Sequence, residues 1–478
     1  MFWVRAEFKE ELISGYVAVA KSLQIPGSQQ EDQLVVVELM RQWLTTHDRW
    51  LLVLDNADDL RQLRPFLPLT NGHILMTTRA HALGDLAQPI EVNQMAADEG
   101  ALFLLRRAKV IGDDAEFSAA LETDQALARR LTVEMDGLPL ALDQAGAYIE
   151  EQSLSLEEYL ELFQDEKAEL LQERGQLDPD HPSVTVTFTL AFEKVASANA
   201  ISAALVRACA FLSPDAIPEE IFSDGAEGLG EPLSGLADSK LALTKAIAAA
   251  ARFSLISRNP QTKTLTIHRL VQAVLRAEMD RESQQDWAEK VMTAVTVVFP
   301  NADYENWVQC DRLLPQSQTA TQLIKDYGLE SDTAALLLNR AGYYFDNLGR
   351  YGEAEPFYVE ALGMYKRLLG ESHPDVASSV NNLAVLYSSQ GRYSEAEPLY
   401  VEALGMYKRL LGESHPYVAS SLWNLGAMRC QQHQFAEAEE LLLEGLLIYQ
   451  QALGADHPNT QKILIWLNAV QAALSAEG

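Results

Sequence analysis

The chain has 478 residues, 48% of them hydrophobic, which is enough for about two to four domains with buried cores. Its formal net charge of −31 repels phosphate backbones and anionic bilayers, so we expect neither a nucleic-acid nor a membrane-surface protein. The cysteines at positions 209, 310 and 430 match no disulfide framework and no metal spacing. Without a signal-peptide pattern or a membrane-spanning tract, the sequence predicts a cytoplasmic protein.

The N-terminal segment carries two apolar runs that predict strands. Trp50–Leu54 ends in Asp55, and Ile74–Met76 ends in two threonines and Arg79. Unbroken runs of this kind are typical of parallel sheets, whose strands bind ligands at their carboxyl ends. An aspartate after four aliphatic residues also has the Walker-B arrangement, in which a carboxylate holds magnesium beside nucleotide phosphates. Alone the pattern is weak, because many buried strands end in aspartate.

The middle of the chain is predicted to be helical. Asp98–Arg107 and Asp124–Asp136 have helical patterns, and the second ends at the segment Gly137–Leu142, with the sequence GLPLAL. The polar, turn-rich stretch Gln172–Ser183 predicts a linker. Gln284–Pro300 and Tyr304–Tyr327 then predict a helix pair, the second interrupted by the Leu-Leu-Pro sequence at 313–315.

A β-hairpin is predicted before that helix pair. Phe253–Ser257 and Leu265–His268 are alternating runs joined by a turn. A hairpin that follows helices is typical of the wing of a winged helix. Winged helices also bind DNA, but this segment has no basic recognition helix, and we expect no DNA partner.

The C-terminal third repeats every 42 residues. Gly349–Pro374 returns almost unchanged at 391–416, a diverged copy follows, and His-Pro pairs begin at His373, His415 and His457. Apolar residues lie at helical spacing on both sides of a Gln-Gly-Arg break, which predicts two amphipathic helices per unit. His-Pro is predicted to close each unit, since the residue before proline is pushed out of helical geometry. Such pairs bury their apolar faces only by stacking.

These units resemble tetratricopeptide repeats over Asp332–Ser475. The repeat's small and large positions are matched by Leu383, Ala384, Tyr387, Ala396, Tyr400 and Ala403. The 42-residue period and the G-E-x-H-P end of the second helix resemble the kinesin-light-chain subtype. The resemblance implies a groove that binds a protein or peptide and is lined by the first helix of each unit.

The implied groove positions are rich in carboxamides. They are Asn339, Tyr343, Asn381, Asn382, Val385, Trp423 and Asn424. A carboxamide both donates and accepts hydrogen bonds, so it can hold a peptide backbone without demanding a sequence. The alternative is that these asparagines only bond between neighbouring helices.

In order and spacing, LLVLDNADD, ILMTTR and GLPLAL resemble the NB-ARC module of STAND signalling NTPases. The resemblance covers about Met1–Asp280 and implies ADP or ATP with magnesium as cofactor. By this resemblance Asp55 is the magnesium-side carboxylate, Arg79 senses the terminal phosphate and Pro139 lies near the base or sugar. His268 would contact the β-phosphate of ADP; the alternative is a histidine packed at the junction of wing and helix.

The sequence departs from that module at the phosphate site. No G-x-x-x-x-G-K-[ST] loop occurs in it, and in the family this loop precedes the strand that matches FWVRA. Asn56 stands where many relatives carry a second acid. Either the chain is cut short relative to its relatives or nucleotide binding has been lost, and we expect little or no hydrolysis.

The predicted fold is multidomain and mostly α. It comprises a partial α/β P-loop-NTPase-like domain at 1–95, a helical domain at 96–175, a winged-helix-like domain at 184–280, a helical adaptor at 281–330, and a solenoid of three repeats plus a capping helix at 331–475. The predicted function is regulatory: the repeats sense a protein or peptide, the ADP/ATP switch module is incomplete, and self-assembly is a further expectation. The alternative is a scaffold that binds no nucleotide. No catalytic constellation is predicted.

Overall fold

The structure is a computed structural model that describes residues 1–30, 32–67, 72–78, 86–88, 90, 92, 94–173, 182–302 and 304–477. The chain is mostly helical with two small sheets, as the sequence predicts. It forms two compact units. The first comprises Met1–Ala87, Asn301–Trp307 and Glu330–Gly478, and the second comprises Gln88–Pro300 and Val308–Leu329. Among the described residues, no helix is both long enough and apolar enough to cross a membrane.

The N-terminal part of the first unit is an α/β segment. Its elements are β1 (Phe2–Arg5), α1 (Lys9–Ser22), α2 (Gln33–Thr46), β2 (Leu51–Asp55), α3 (Leu60–Leu63) and β3 (His73–Met76). The strands are parallel in the order β1-β2-β3, and Leu54 of the central strand pairs with Val4 and Met76. Helices α1 and α2 supply Leu12 and Val36 to a core that they share with the strand residues Val4 and Leu54. The carboxyl ends of β2 and β3 therefore meet at one edge.

The second unit is a set of helices with one small antiparallel sheet. Its elements are α4 (Ala97–Arg107), α5 (Glu122–Glu134), α6 (Pro139–Gln152), α7 (Leu156–Glu173), α8 (Pro182–Ala198), α9 (Ala200–Cys209), β4 (Ile217–Pro218), α10 (Glu220–Ser223), α11 (Ala226–Leu229), α12 (Lys240–Arg252), β5 (Ser257–Asn259), β6 (Thr264–Thr266), α13 (Arg269–Glu278), α14 (Arg281–Val298) and α15 (Trp307–Tyr327), of which Trp307 belongs to the first unit. The sheet order is β4-β6-β5. The predicted hairpin is present, but its first strand begins only at Ser257 because α12 continues to Arg252 and Phe253 is its C-cap.

The predicted interruption at Pro315 is wrong. Helix α15 continues through Pro315, although proline removes one backbone donor from the helix. Leu313, Leu314 and Ala320 around it are buried, and their packing outweighs the local preference of proline. The Thr319 hydroxyl donates to the Pro315 carbonyl at 3.0 Å, so the following turn gains a side-chain hydrogen bond.

The C-terminal part of the first unit consists of three helix pairs and a last helix. They are α16 (Asp332–Asn347), α17 (Tyr351–Leu369), α18 (Pro374–Ser389), α19 (Tyr393–Leu411), α20 (Pro416–Gln431), α21 (Phe435–Leu453) and α22 (Pro458–Glu477). Ala384 and Ala396 let α18 and α19 approach closely, and Tyr400 packs beside them against Leu425 and Met428 of the next repeat. Each repeat thus shares its core with its neighbour, as in other solenoids.

The His-Pro pairs open helices and do not close units, which corrects their predicted role. His373, His415 and His457 precede α18, α20 and α22, and the Nδ1 atom of each accepts a backbone N–H two residues on at 3.2 Å. Proline then occupies the first helical position, where its missing N–H is not needed and its fixed φ suits a helix. The turn inside a repeat is made by a glycine such as Gly391, whose φ of 73° is in the left-handed region.

Candidate groove and nucleotide-module residues

The predicted groove residues lie on one face of α16, α18 and α20, which we call the groove face. It consists of Asn339, Tyr343, Asn381, Asn382, Val385, Trp423 and Asn424, and the first helices of neighbouring repeats contact each other beside it. Tyr343 is exposed and the others are half-buried. The 42-residue period places the same helical position of each repeat in one row.

The asparagines of the groove face bond to one another across the helices. Asn382 donates from Nδ2 to Oδ1 of Asn339 at 3.0 Å, and Asn424 donates to Oδ1 of Asn381 at 3.4 Å. The Ser421 hydroxyl also donates to Asn381 at 3.4 Å. Each carboxamide has two N–H donors and an acceptor oxygen, so one such bond leaves capacity for a ligand. The inter-helix bonding considered from the sequence is therefore present, and it fixes the orientation of the amides.

Within each bonded pair the two asparagines are 43 residues apart. The next two residues along the repeats with that separation are aromatic. They are Trp423 and Trp466 of α22, a helix that carries none of the predicted groove residues. Trp466 is 37% exposed and its neighbour Ile465 is 66% exposed. The repeat spacing was the signal that could have identified both. The side chains Trp466 and Ile465 therefore continue the rows of the groove face onto the last helix, and we call them its aromatic end.

In the α/β segment, Asp55 lies at the carboxyl end of β2 beside the residues that follow β3. The Thr77 hydroxyl donates to Oδ1 of Asp55 at 2.5 Å and accepts the backbone N–H of Asn56 at 2.9 Å. The Thr78 hydroxyl donates to Asp58 at 3.2 Å. The strand ends thus bring carboxylate and hydroxyl oxygens together, which is the ligand chemistry that magnesium prefers. Arg79, the predicted phosphate sensor, lies outside the described residues.

These residues fit only one side of a magnesium–nucleotide site. No group of three or more His, Cys, Asp or Glu in the described part of the chain is placed to hold a metal ion. The sequence offers no glycine-rich loop whose N–H groups would hold phosphates, nor the lysine that accompanies it. Asp55 with the threonine hydroxyls could hold magnesium, and no residue described beside them replaces the phosphate loop.

Pro139 and His268 belong to the second unit. Pro139 is the first residue of α6, after Gly137, whose carbonyl accepts the N–H of Met95 at 2.9 Å. His268 caps α13, and its Nδ1 accepts the N–H of Leu270 at 3.2 Å, as the histidines of the repeats do. This cap is a structural role at the junction of hairpin and helix. A contact of either residue with nucleotide stays a prediction.

Comparison with known families identifies the repeats. Tetratricopeptide repeat models match residues 332–409 and 418–459. A third model, a domain of unknown function (DUF7779), matches residues 190–284, which include the hairpin. The C-terminal repeats predicted from the 42-residue period are thereby confirmed.

A curated relative extends the similarity beyond the repeats. It is a nucleotide-binding leucine-rich repeat (NLR)-like protein of Hyaloscypha variabilis, 29% identical over 415 residues, covering 80% of this chain and 40% of the relative. The chain therefore spans about two fifths of that relative's length. The activity and partners of the whole protein are matters for proposal.

Solved structures give looser matches. A STAND protein with a tetratricopeptide repeat sensor from Pyrococcus horikoshii is 12% identical, with 98% of this chain and 80% of that chain covered and a TM-score of 0.34. BtubC (BKLC) from P. vanneervenii is 22% identical over 41% of this chain and 85% of its own, with a TM-score of 0.30. A Rap protein complexed with competence and sporulation factor is 13% identical over 80% of this chain and 100% of its own, with a TM-score of 0.24. The repeat models thus identify C-terminal tetratricopeptide repeats, and the NLR-like relative is similar over 80% of the chain.

Proposed function

We propose that this chain is a cytoplasmic regulatory protein of the STAND type whose groove face binds a protein or peptide segment. Tetratricopeptide repeats generally mediate protein–protein contacts, and solenoids use their extended surfaces for them. The observation that carries the proposal is the row of carboxamides fixed by their mutual bonds, at 3.0 Å between Asn382 and Asn339. Amides that are already oriented lose little entropy when they bind a peptide backbone.

The aromatic end of the groove face supplies the apolar part of such a site. Trp466 and Ile465 present apolar surface on the last helix, in register with the carboxamide row. Aromatic side chains are frequent binding hot spots because they bury a large area with few rotatable bonds. The groove face thus fits an extended segment whose backbone contacts the amides and whose apolar side chain contacts the indoles.

A random-peptide phage library selected on the full chain tests this proposal. Peptides recovered in the selection should lose about tenfold or more in affinity for the Asn381→Ala, Asn382→Ala double variant and for Trp466→Ala, since interface hot spots contribute about 1.4 kcal/mol or more each. Val401→Ala is the matched control, because Val401 is 55% exposed on α19, outside the groove face. Equal affinity of the selected peptides for all variants, with helicity intact, would show that the groove face is not the binding site.

We further propose that the α/β segment is an incomplete ADP/ATP switch module and the 184–280 region its winged helix. The Asp55–Thr77 contact supports the first point, because it sets a carboxylate and a hydroxyl at the strand ends where magnesium would bind. The alternative is a repeat scaffold without nucleotide. Calorimetric titration of the full chain with ADP and magnesium separates the two. Micromolar binding that weakens in Asp55→Asn would refute the scaffold, and absence of heat with folded protein would refute the switch.

A further inference from the structure

The junctions between repeats share an arginine held between two glutamates. Arg392 is the N-cap of α19, the second helix of the second repeat, and its guanidinium donates to Glu395 of the same repeat at 2.8 Å. It also donates to Glu355 of the preceding repeat at 2.9 Å. Its guanidinium lies 3.9 Å from the centre of the Tyr387 ring. One arginine thus connects a carboxylate of its own repeat to one of the repeat before.

The next junction has the same two carboxylates, but its arginine comes from another position. Gln434 stands one period after Arg392, and Arg429 of α20 supplies the guanidinium. Arg429 donates to Glu397 at 2.5 Å and lies 3.1 Å from Glu437. Glu397 and Glu437 follow Glu355 and Glu395 by one period of 42 residues. The carboxylate from the preceding repeat is therefore a recurring part of each junction.

The first repeat has the arginine but no preceding repeat to supply that carboxylate. Arg350 is the equivalent of Arg392, and its Nε donates to Glu353 at 2.9 Å. Its guanidinium lies 4.7 Å from the centre of the Phe345 ring, as that of Arg392 lies over Tyr387. The position one period before Glu355 is Leu313, which carries no charge. The missing carboxylate comes from α1, where Oε1 of Glu10 lies 3.6 Å from Nη2 of Arg350.

The contact between Glu10 and Arg350 is shielded from solvent. The Arg350 side chain is 1% exposed, against 33% for Arg392 and 15% for Arg429. Burying a guanidinium is costly unless polar partners surround it, and Glu353 and Glu10 supply the oxygen atoms beside Arg350. A second segment outside the repeats also contacts this end, because Asn347 donates to the Ala302 carbonyl at 2.9 Å.

We propose that helix α1 is the N-terminal cap of the repeat array, with Glu10 taking the place that a glutamate of the preceding repeat takes at the later junctions. A solenoid needs a terminal element that covers its first unit. Here that element comes from the α/β segment, far away in the sequence. The first repeat and α1 therefore open and close together. This inference does not depend on what the groove face binds.

The charges at the cap predict how it responds to pH. Burial and the neighbouring Glu353 raise the pKa of Glu10 to about 7. Burial also raises the pKa of Glu353, but hydrogen bonds from Arg350 and Glu10 outweigh it and hold that pKa below its usual value. Lys9 also faces the pair, and Glu11 beside it pairs with Arg5 at 3.9 Å. Because the docked state binds the Glu10 proton more tightly than the undocked state, the contribution of Glu10 to docking is full below about pH 4.5 and is lost as the pH rises through about 7.

Hydrogen exchange of the full chain, followed by mass spectrometry, tests the cap. Glu10→Arg sets a second cation against Arg350, and exchange in both α1 and α16–α17 should become at least tenfold faster. Glu10→Gln keeps the hydrogen-bonding shape of the protonated acid, so it should retain protection in α1. It should also remove the change in protection between pH 6 and pH 8, after correction for intrinsic exchange.

Two controls separate the cap from general loosening. Glu38→Arg alters an exposed glutamate of α2 that pairs with Arg41, and it should leave the repeats unchanged. Arg392→Met breaks the second junction and should speed exchange in α18–α19 without affecting α1. The proposal is overturned if Glu10→Arg leaves α16–α17 at native protection, or if the pH dependence of α1 survives in Glu10→Gln. The second outcome remains decisive if Glu10→Arg does not fold.

Discussion

Replacing Tyr400 by alanine is expected to uncouple the third repeat from the second. Tyr400 is 2% exposed on α19 and packs with Ala384 and Ala396 of its own repeat. On the other side it contacts Leu425 and Met428 of α20. Truncation to alanine therefore opens a cavity at the junction, where two repeats share one core.

The magnitude follows from the size of the side chain. Removal of a buried aromatic ring costs about 3–5 kcal/mol, because the transfer energy is lost and the cavity closes only partly. At the lower figure, the local opening equilibrium shifts by roughly a hundredfold, since about 1.4 kcal/mol corresponds to a factor of ten. Tyr400→Phe removes only the hydroxyl, whose hydrogen bond is worth about 1 kcal/mol.

Hydrogen exchange of peptides from α20 and α21 measures this shift directly. Tyr400→Ala should accelerate their exchange by about a hundredfold, and Tyr400→Phe by less than about tenfold. Val401→Ala, one residue away and largely exposed, is the control and should change nothing beyond about 0.5 kcal/mol. If Tyr400→Ala accelerated exchange in α20 and α21 no more than Val401→Ala, the shared core would not be what couples the repeats.

Further changes in the repeats have defined expectations. Gly405→Ala should raise the thermal midpoint by adding about 0.8–1 kcal/mol of helix propensity, because nothing lies within 4 Å of the added Cβ. Gly426→Ala should lower it, since there the Cβ would lie 3.0 Å from Leu442. His415→Ala removes the cap of α20 and should speed exchange in its first turn by roughly fivefold, for a loss of about 1 kcal/mol. Burial raises the pKa of Asp346 to about 6, so the first repeat should lose stability as the pH rises from about 4 through 6, as exchange in α16–α17 would show. Asp346→Ser introduces the residue that stands one period later, Ser388, and it should abolish that loss of stability.

The repeats and the strand ends could be predicted because their signals are local. The 42-residue period sets every helix of the array, since each unit must expose the same faces to its neighbours. The apolar runs before Asp55 and Thr77 predict strands of a parallel sheet with polar residues at their carboxyl ends. The structure adds that the two strands are neighbours and that the Thr77 hydroxyl bonds to Asp55.

The remaining features depend on long-range contacts that no local sequence pattern predicts. Helix α15 passes Pro315 because buried neighbours hold it, and no local rule reports that burial. The contact of Glu10 with Arg350 joins residues from opposite parts of the chain, and neither has a pattern that names the other. The Nδ1 atom of His268 caps a helix as the histidines of the repeats do, and no sequence pattern at the hairpin indicates that cap.

The near identity of the repeats has a consequence for how the array can evolve. Gly349–Pro374 and the segment one period later differ only at Gly352/Ser394 and Phe357/Leu399. Unequal recombination that removed residues 350–391 would place Arg392 where Arg350 stands, opposite Glu10 and beside its own Glu395. The array can therefore lengthen or shorten in whole units while its end contact is inherited intact. Circular dichroism of a chain without residues 350–391 would check this, since it should remain folded.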